Sequence, residues 1–573
     1  MKLKRAIVLL LPLAAGAAVL ALLAGYLRAA EDQTAGSAGR LVVVADTTAS
    51  MQPELAALSA AWPGSVIPES GKERTYHLMQ FKDQVRYEGS TGSISEFQAK
   101  LDELTAIAGG DCEDAMFQAL AAAARGVPDS RALVLSDAAP MGSRANFAFI
   151  MNKLVERGIN IYPVISGWCQ DSELSQSAMF SLARMTGGVP FIQEVGVVPT
   201  ENETQSSLHS AFDMMALQDS LLVENSTLDG IMTFPLTVDS TATTLGVDEE
   251  KCRVWCLTCT LAVQQAESLV SNEDISLMVK DPDGNLLQAG DAGVEIRERS
   301  SGSTLLIDVA DIYTPPLGQT SATWEIIVQG SGDFVLNASA DSGVHLDYDG
   351  RHTLPANREI PFRAALSTSG GAPDISGETV QFALKHIMNG SIIPVELFDD
   401  GSHDDGAAGD GIFAGPVTLK RGLWYLVARG ELADGAQFER THTVPIRAKG
   451  FRANKPADNQ QVAGSSGTLR FEISNDDPPD LQRTAVKAYD LDVESLLGWA
   501  SSEGVPSRIV LQPGETKVVN VQVIVPDDAQ AGDEEETFLT IIESDDIGSS
   551  ETLTVKTTVV DELKSYLPAA LGN

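Results

Sequence analysis

The run Leu41-Val42-Val43-Val44-Ala45-Asp46 constrains the fold of this chain more than any other stretch. Five apolar residues in succession point side chains to both faces of a strand, so both faces must be covered. Such coverage is found in parallel sheets sandwiched between helices. The run ends on an acid, and two hydroxyl residues follow it at a spacing of two, giving Asp46-x-Thr48-x-Ser50. In doubly wound sheets ligands bind beyond the carboxyl ends of the strands, so a polar trio there is a candidate site.

From residue 40 to about 220 short apolar runs alternate with helical periodicity. TYHLMQF, RALVLSD and INIYPVIS read as strands. Ser93 and Glu96 form a capping-box signature opening one helix. Phe147, Ile150, Met151, Leu154 and Val155 line one face of another, which Gly158 stops. Beyond about 230 the grammar changes to alternating runs such as ISLMVKD, TWEIIVQG and LWYLVARG, separated by Gly, Pro, Asp and Ser. That pattern specifies antiparallel β-sandwiches. The expected fold class is multidomain: an α/β doubly wound, Rossmann-like domain followed by about three all-β Ig-like sandwich modules. The expected boundaries are 1–30 for a signal segment, 38–220 for the α/β domain, and 225–350, 355–447 and 460–562 for the β modules.

The first 30 residues open with Lys2, Lys4 and Arg5, followed by an apolar run from Ala6 to Leu27. This is an export signal, either cleaved or retained as a membrane anchor, since a run of 22 apolar or small residues is long enough to span a bilayer. The chain is therefore expected to be secreted or held at the cell surface. Against 40 Lys+Arg stand 79 Asp+Glu, a net charge of −39, which repels nucleic acid and attracts divalent cations. Five cysteines are present. Cys252, Cys256 and Cys259 lack a fourth ligand nearby for a zinc site. No His-Glu-x-x-His or Gly-x-Ser-x-Gly occurs and the seven histidines are scattered, so an extracellular hydrolase is disfavoured and the chain is read as a non-enzyme.

Asp46, Thr48 and Ser50 end one buried strand, Asp137 ends a second in VLSDAAP, and Asp111 lies between them in the loop GGDCEDA. Carboxylates and hydroxyls are hard oxygen ligands, suited to Mg2+, Mn2+ or Ca2+. Together these residues resemble the metal-ion-dependent adhesion site of von Willebrand factor type A domains. Two departures stand out: Thr48 takes a serine position, and Asp111 takes a position usually held by threonine. The resemblance implies a cation with an open coordination position that accepts an Asp or Glu from a protein partner. The GGDCEDA loop and the later ISGWCQDSEL are similar to hemicentin-like extracellular proteins, over about residues 38 to 350. In that family the two cysteines are placed to bridge, which implies a disulfide between Cys112 and Cys169.

A second acidic constellation is FDDGSHDDGAAGDGIFAG, carrying Asp399, Asp400, Asp404, Asp405 and Asp410. It resembles an element of β-sandwich modules in secreted proteins, including the chloride-channel-regulator family, with Phe413 in a tyrosine place. The spacing is not that of an EF-hand, and the loop reads as either a Ca2+ site or a solvated acidic turn. The leading functional expectation is an exported adhesion or binding protein. The alternative is a structural stalk or surface-layer component with a vestigial metal site.

Overall fold

The computed structural model describes residues 39–561, apart from 63–73, 83, 108–112, 138, 141–142, 167–175, 193–200, 217–218, 240–253, 263, 266–267, 270–275, 300–301, 309–311, 314–319, 341, 369–379 and 478–485. The signal segment 1–30 lies outside the described residues. No helix among the described residues is long and apolar enough to cross a membrane.

The N-terminal unit runs β1 (Arg40–Asp46), α1 (Gln52–Ala61), β2 (Thr75–Phe81), β3 (Val85–Thr91), α2 (Ile94–Asp102), α3 (Met116–Gly126), β4 (Ser130–Ser136), α4 (Arg144–Glu156), β5 (Ile159–Ile165), α5 (Gln176–Thr186), β6 (Phe191–Ile192) and α6 (Glu201–Ala216). Its sheet order is β3-β2-β1-β4-β5-β6, with β3 antiparallel to β2 and the other neighbours parallel. Leu41 to Ala45 are at most 2% exposed. Alternation sends Val42 and Val44 into a core with Met116, Leu120, Ile150 and Leu154 of α3 and α4. Leu41, Val43 and Ala45 enter the opposite core with Leu55, Leu58, Phe97 and Phe212 of α1, α2 and α6. The unbroken apolar run is therefore the consequence of two helical layers, each demanding every second side chain.

Ser93 caps α2 by accepting the Glu96 N–H at 3.3 Å. The return bond runs through a third residue: the Glu96 carboxylate accepts from the Thr91 hydroxyl, and Thr91 Oγ1 accepts the Ser93 N–H at 3.0 Å. A direct reciprocal cap opens α4. There Ser143 Oγ accepts the Asn146 N–H at 3.3 Å and Asn146 Oδ1 accepts the Ser143 N–H at 2.7 Å.

The rest of the described chain is mostly antiparallel β-structure, with parallel pairs at Thr353–Pro355 and Asn459–Gln461, around three cores centred on Trp324 and Phe334, on Phe382 and Trp424, and on Phe471 and Tyr489. The modules are not beads on a string. Strand Asp219–Asp239 begins three residues after α6 and pairs along its length with Ser321–Ala340. Its start also pairs with Gln437–Lys449 through Ser220 and Thr441, so the first two β modules share one 11-stranded sheet. The third follows after Gly450 alone, where strand Phe451–Asn454 begins. A Cβ on Gly450 would lie 1.9 Å from Arg421 Nε, which leaves glycine as the residue that fits. Arg421 itself donates to the Gly450 carbonyl and pairs with Asp477 and Glu543.

The α/β domain docks on this β-scaffold through apolar packing. Leu423 and Tyr425 join the core of α3, α4 and α5, and the Tyr425 hydroxyl lies 3.3 Å from the Arg184 carbonyl, to which it donates. Gly187 sits so close that a Cβ would come within 1.7 Å of the Thr443 carbonyl oxygen.

Candidate metal centre

The parallel register brings the carboxyl ends of β1, β4 and β5 side by side. Asp46, the last residue of β1, is fully buried. Its Oδ1 accepts the Thr48 N–H at 2.8 Å, closing the turn after the strand, and its Oδ2 accepts the Ser136 hydroxyl at 2.8 Å from the end of β4. Part of its role is thus that of a turn cap, as for many acids after strands. Capping does not account for the rest. The Thr48 and Ser50 hydroxyls face each other at 3.3 Å, and Ser50 also bonds the Asp137 side chain. Burial raises the Asp137 carboxyl above its usual range; the Ser50 bond opposes this and the Asp46 charge adds to it.

Glu54, in the first turn of α1, is a site residue absent from the sequence reading. It is 8% exposed, and its Oε1 accepts the Ser166 hydroxyl at 3.1 Å from just beyond β5. Its Oε2 is buried without a hydrogen-bond partner. Burial raises this carboxyl too, with Asp137 and Asp46 adding repulsion. Among the described residues no lysine or arginine is a cause of the shift of Glu54 or Asp137. The one sequence signal that could have found Glu54 is its place four residues after Ser50, one helical turn on.

Asp111 and Cys112 lie outside the described residues, but both flanks of their loop are tied to the site. On the near side Ile107 bridges to Thr48 and donates its N–H to the Thr47 carbonyl at 2.9 Å. On the far side Glu113–Asp114 pair in parallel with Ala139–Pro140, just after Asp137. Cys169 and Cys252 also lie outside the described residues. Cys256 and Cys259 fall in strand Val254–Ala262, opposite Leu306 and Ser303. Among the described residues no group of three or more His, Cys, Asp or Glu has metal-holding geometry. The described part of the centre is therefore the pair Asp46 and Asp137 with the Thr48 and Ser50 hydroxyls.

In the acidic loop the carboxylates are engaged by the backbone. Asp399 accepts the N–H groups of Gly409 (2.7 Å), Asp410 (3.2 Å) and Gly411 (2.9 Å). Asp405, inaccessible to solvent, accepts from Asp400, Gly401 and His403, while Asp410 accepts from Ala407 and Ile412. Asp400 accepts the Ser402 N–H at 2.9 Å, and Asp404 adopts φ 60° to turn the chain. Any Ca2+ in this loop competes with bonds already made. Asp399→Ala is expected to lower stability by about 1.5–3 kcal/mol, the scale of lost charge-assisted bonds, equally with and without Ca2+ in urea denaturation of the full chain. A Ca2+-dependent difference between the two proteins would favour the calcium reading over the solvated turn.

Residues 40–193 match the family model of the von Willebrand factor A domain, and residues 348–447 match that of the conditioned medium factor second Ig-like domain. Among solved structures, proximal thread matrix protein 1 from the mussel byssus is 12% identical, with 36% of this chain aligned to 50% of that one at TM-score 0.25. The human COPII-coat protein Sec24c is 7% identical, covering 71% of this chain and 43% of that one at TM-score 0.26. The SpRpn10 VWA domain is 9% identical, covering 31% and 92% at TM-score 0.23. This chain thus spans half or less of the first two. No curated protein matches it. The N-terminal unit is a von Willebrand factor A-like α/β domain, followed by a β-rich region that includes an Ig-like domain.

Proposed function

We propose that this is an exported adhesion or binding protein whose A-type domain captures an acidic side chain of a protein partner through a divalent cation. The observation that carries this reading is the convergence of Asp46, Asp137 and the Thr48 and Ser50 hydroxyls on one strand-end face. The carboxyls of Asp137 and Glu54, both raised by desolvation, and the unpartnered Glu54 Oε2 make an electrostatic deficit that a hard cation offsets. Asp46 and Asp137 would hold Mg2+, Mn2+ or Ca2+, with the two hydroxyls as neutral ligands and Asp111 as the loop's contribution. The cation supplies the positive charge that draws in a partner carboxylate. Glu54 and Asp111 make the surroundings more negative than a hydroxyl-based site, which favours retention of the cation and opposes the anionic ligand. A Cys112–Cys169 disulfide of the hemicentin-like type would brace the same face, consistent with export.

Both matched families are typically binding modules. The continuity of the β-scaffold supports a rigid stalk as the role of the remaining modules. The full chain, immobilised and exposed to its native extracellular medium with Mg2+ or with EDTA, should retain a protein partner only in the first case. Retention in EDTA would overturn the cation bridge and leave the stalk reading.

A further inference from the structure

Helix α4 begins seven residues after Asp137, and the residues that grip its outer face come from the far end of the chain. In its first turn, Asn146 Nδ2 donates to both oxygens of Glu494, at 2.7 and 2.9 Å, across 348 residues of sequence. The same carboxamide uses its oxygen to cap Ser143. Arg144 reaches the Ser544 carbonyl at 3.4 Å and Asp490 at 3.6 Å. One turn on, Phe149 packs edge-on against Phe538 with ring centroids 6.1 Å apart. In the helix middle, Asn152 Nδ2 donates to Ser550 Oγ at 3.0 Å while its oxygen accepts from the buried Arg447. Asn146, Phe149 and Asn152 recur every three residues, so they form one stripe of the helix. The acidic Glu494 also faces the positive end of the α4 dipole, the favourable sense.

Two fixed points lie between Asp137 and α4. Ala139–Pro140 pair with Glu113–Asp114, beside the candidate metal loop, and Ser143 is fixed by the Asn146 cap. A flexible strand-end ligand loses affinity to the entropy of ordering it, and a held one does not.

We infer that the C-terminal β module, residues 451–561, regulates the metal centre by holding α4, and with it the Asp137 strand end, in the cation-competent arrangement. This rests on the reading of Asp46 and Asp137 as cation ligands. Asn146 and Glu494 are positioning residues, since neither touches the site. Coupling of this kind is reciprocal: if docking of the module strengthens cation binding, the cation must strengthen docking by the same factor.

The test uses the full chain and Mg2+ alone as probe, with titration calorimetry and amide exchange as readouts. Glu494→Ala removes both acceptors of Asn146 and is expected to weaken Mg2+ binding about 5-fold or more, the lower range of typical coupling. Glu494→Gln keeps one acceptor for Asn146 and should recover most of that loss. In the wild type, Mg2+ should slow exchange in strands Glu534–Glu543 and Asp546–Val559, which lie far from the ligands in sequence; in Glu494→Ala this protection should shrink. If wild type binds Mg2+ but Glu494→Ala binds within twofold of it and exchange is unchanged, the inference is overturned while the metal centre stands. If wild type binds no divalent cation, the metal-centre reading itself fails.

Discussion

Asp46→Asn is expected to abolish divalent-cation binding while leaving the parallel sheet intact. The asparagine carbonyl can still accept the Thr48 N–H, and its amide can donate to the Ser136 oxygen, so these two bonds of the buried carboxylate have a substitute. What disappears is the charge. Asp46→Ala is a poorer probe, because it removes the acceptor of the Thr48 N–H in a site that is fully buried, at about 1–3 kcal/mol. Calorimetry with Mg2+ and a parallel thermal melt separate the two effects. Unchanged cation affinity in a folded Asp46→Asn protein would end the metal-bridged mechanism. In the wild type, cation affinity should fall as pH drops through the raised range of Asp137 and Glu54, because protons and the cation compete for the same carboxyls. Asp111→Thr should weaken the cation and leave or improve partner capture, since it removes negative charge from the loop.

Arg447→Met is expected to destabilise the chain by about 1–3 kcal/mol and to release α4 from the C-terminal module, the usual cost of leaving a buried acceptor unsatisfied. The Arg447 side chain is buried where three units meet. It donates to the Asn152 oxygen of α4, to the Ser550 carbonyl at 2.8 Å and to Thr353 Oγ1 at 3.0 and 3.3 Å. Burial pulls its pKa down to about 10, so at pH 7 it remains charged. Methionine fills a similar volume but takes the donor away from the Ser550 carbonyl and from the half-buried Thr353 Oγ1, while Asn152 Oδ1 keeps the Ser550 hydroxyl. Urea denaturation followed by limited proteolysis should show a lower midpoint and new cleavage near α4. A wild-type midpoint with unaltered cleavage would mean that the apolar packing of Phe149 and Phe538 holds the junction by itself.

The two structural classes were legible because each has its own hydrophobic period. Leu41 to Ala45 read as a strand covered on both faces, and they separate into two cores as that reading requires. The strand-end residues Asp46, Ser50 and Asp137 were legible because a parallel register delivers strand ends to one edge whatever the rest of the chain does. Glu54 was not legible. It looks like an ordinary first-turn acid until Ser166, 112 residues away, is brought against it. The acidic loop was recognised as crowded, but the N–H groups that engage Asp399 come from a backbone path that spacing alone does not describe.

By itself the sequence determined what each segment must bury and which side chains must end up on the strand-end face, because hydrophobic period and strand polarity are local properties. The tertiary structure alone decided that the first two β modules share a sheet, that Arg447 lies buried at their junction with the C-terminal module, and that this module reaches back to α4. Those outcomes depend on contacts such as Thr441 with Ser220 and Asn146 with Glu494, made between residues hundreds of positions apart. Their stability comes from surface complementarity between already folded units, for which a linear pattern carries no code.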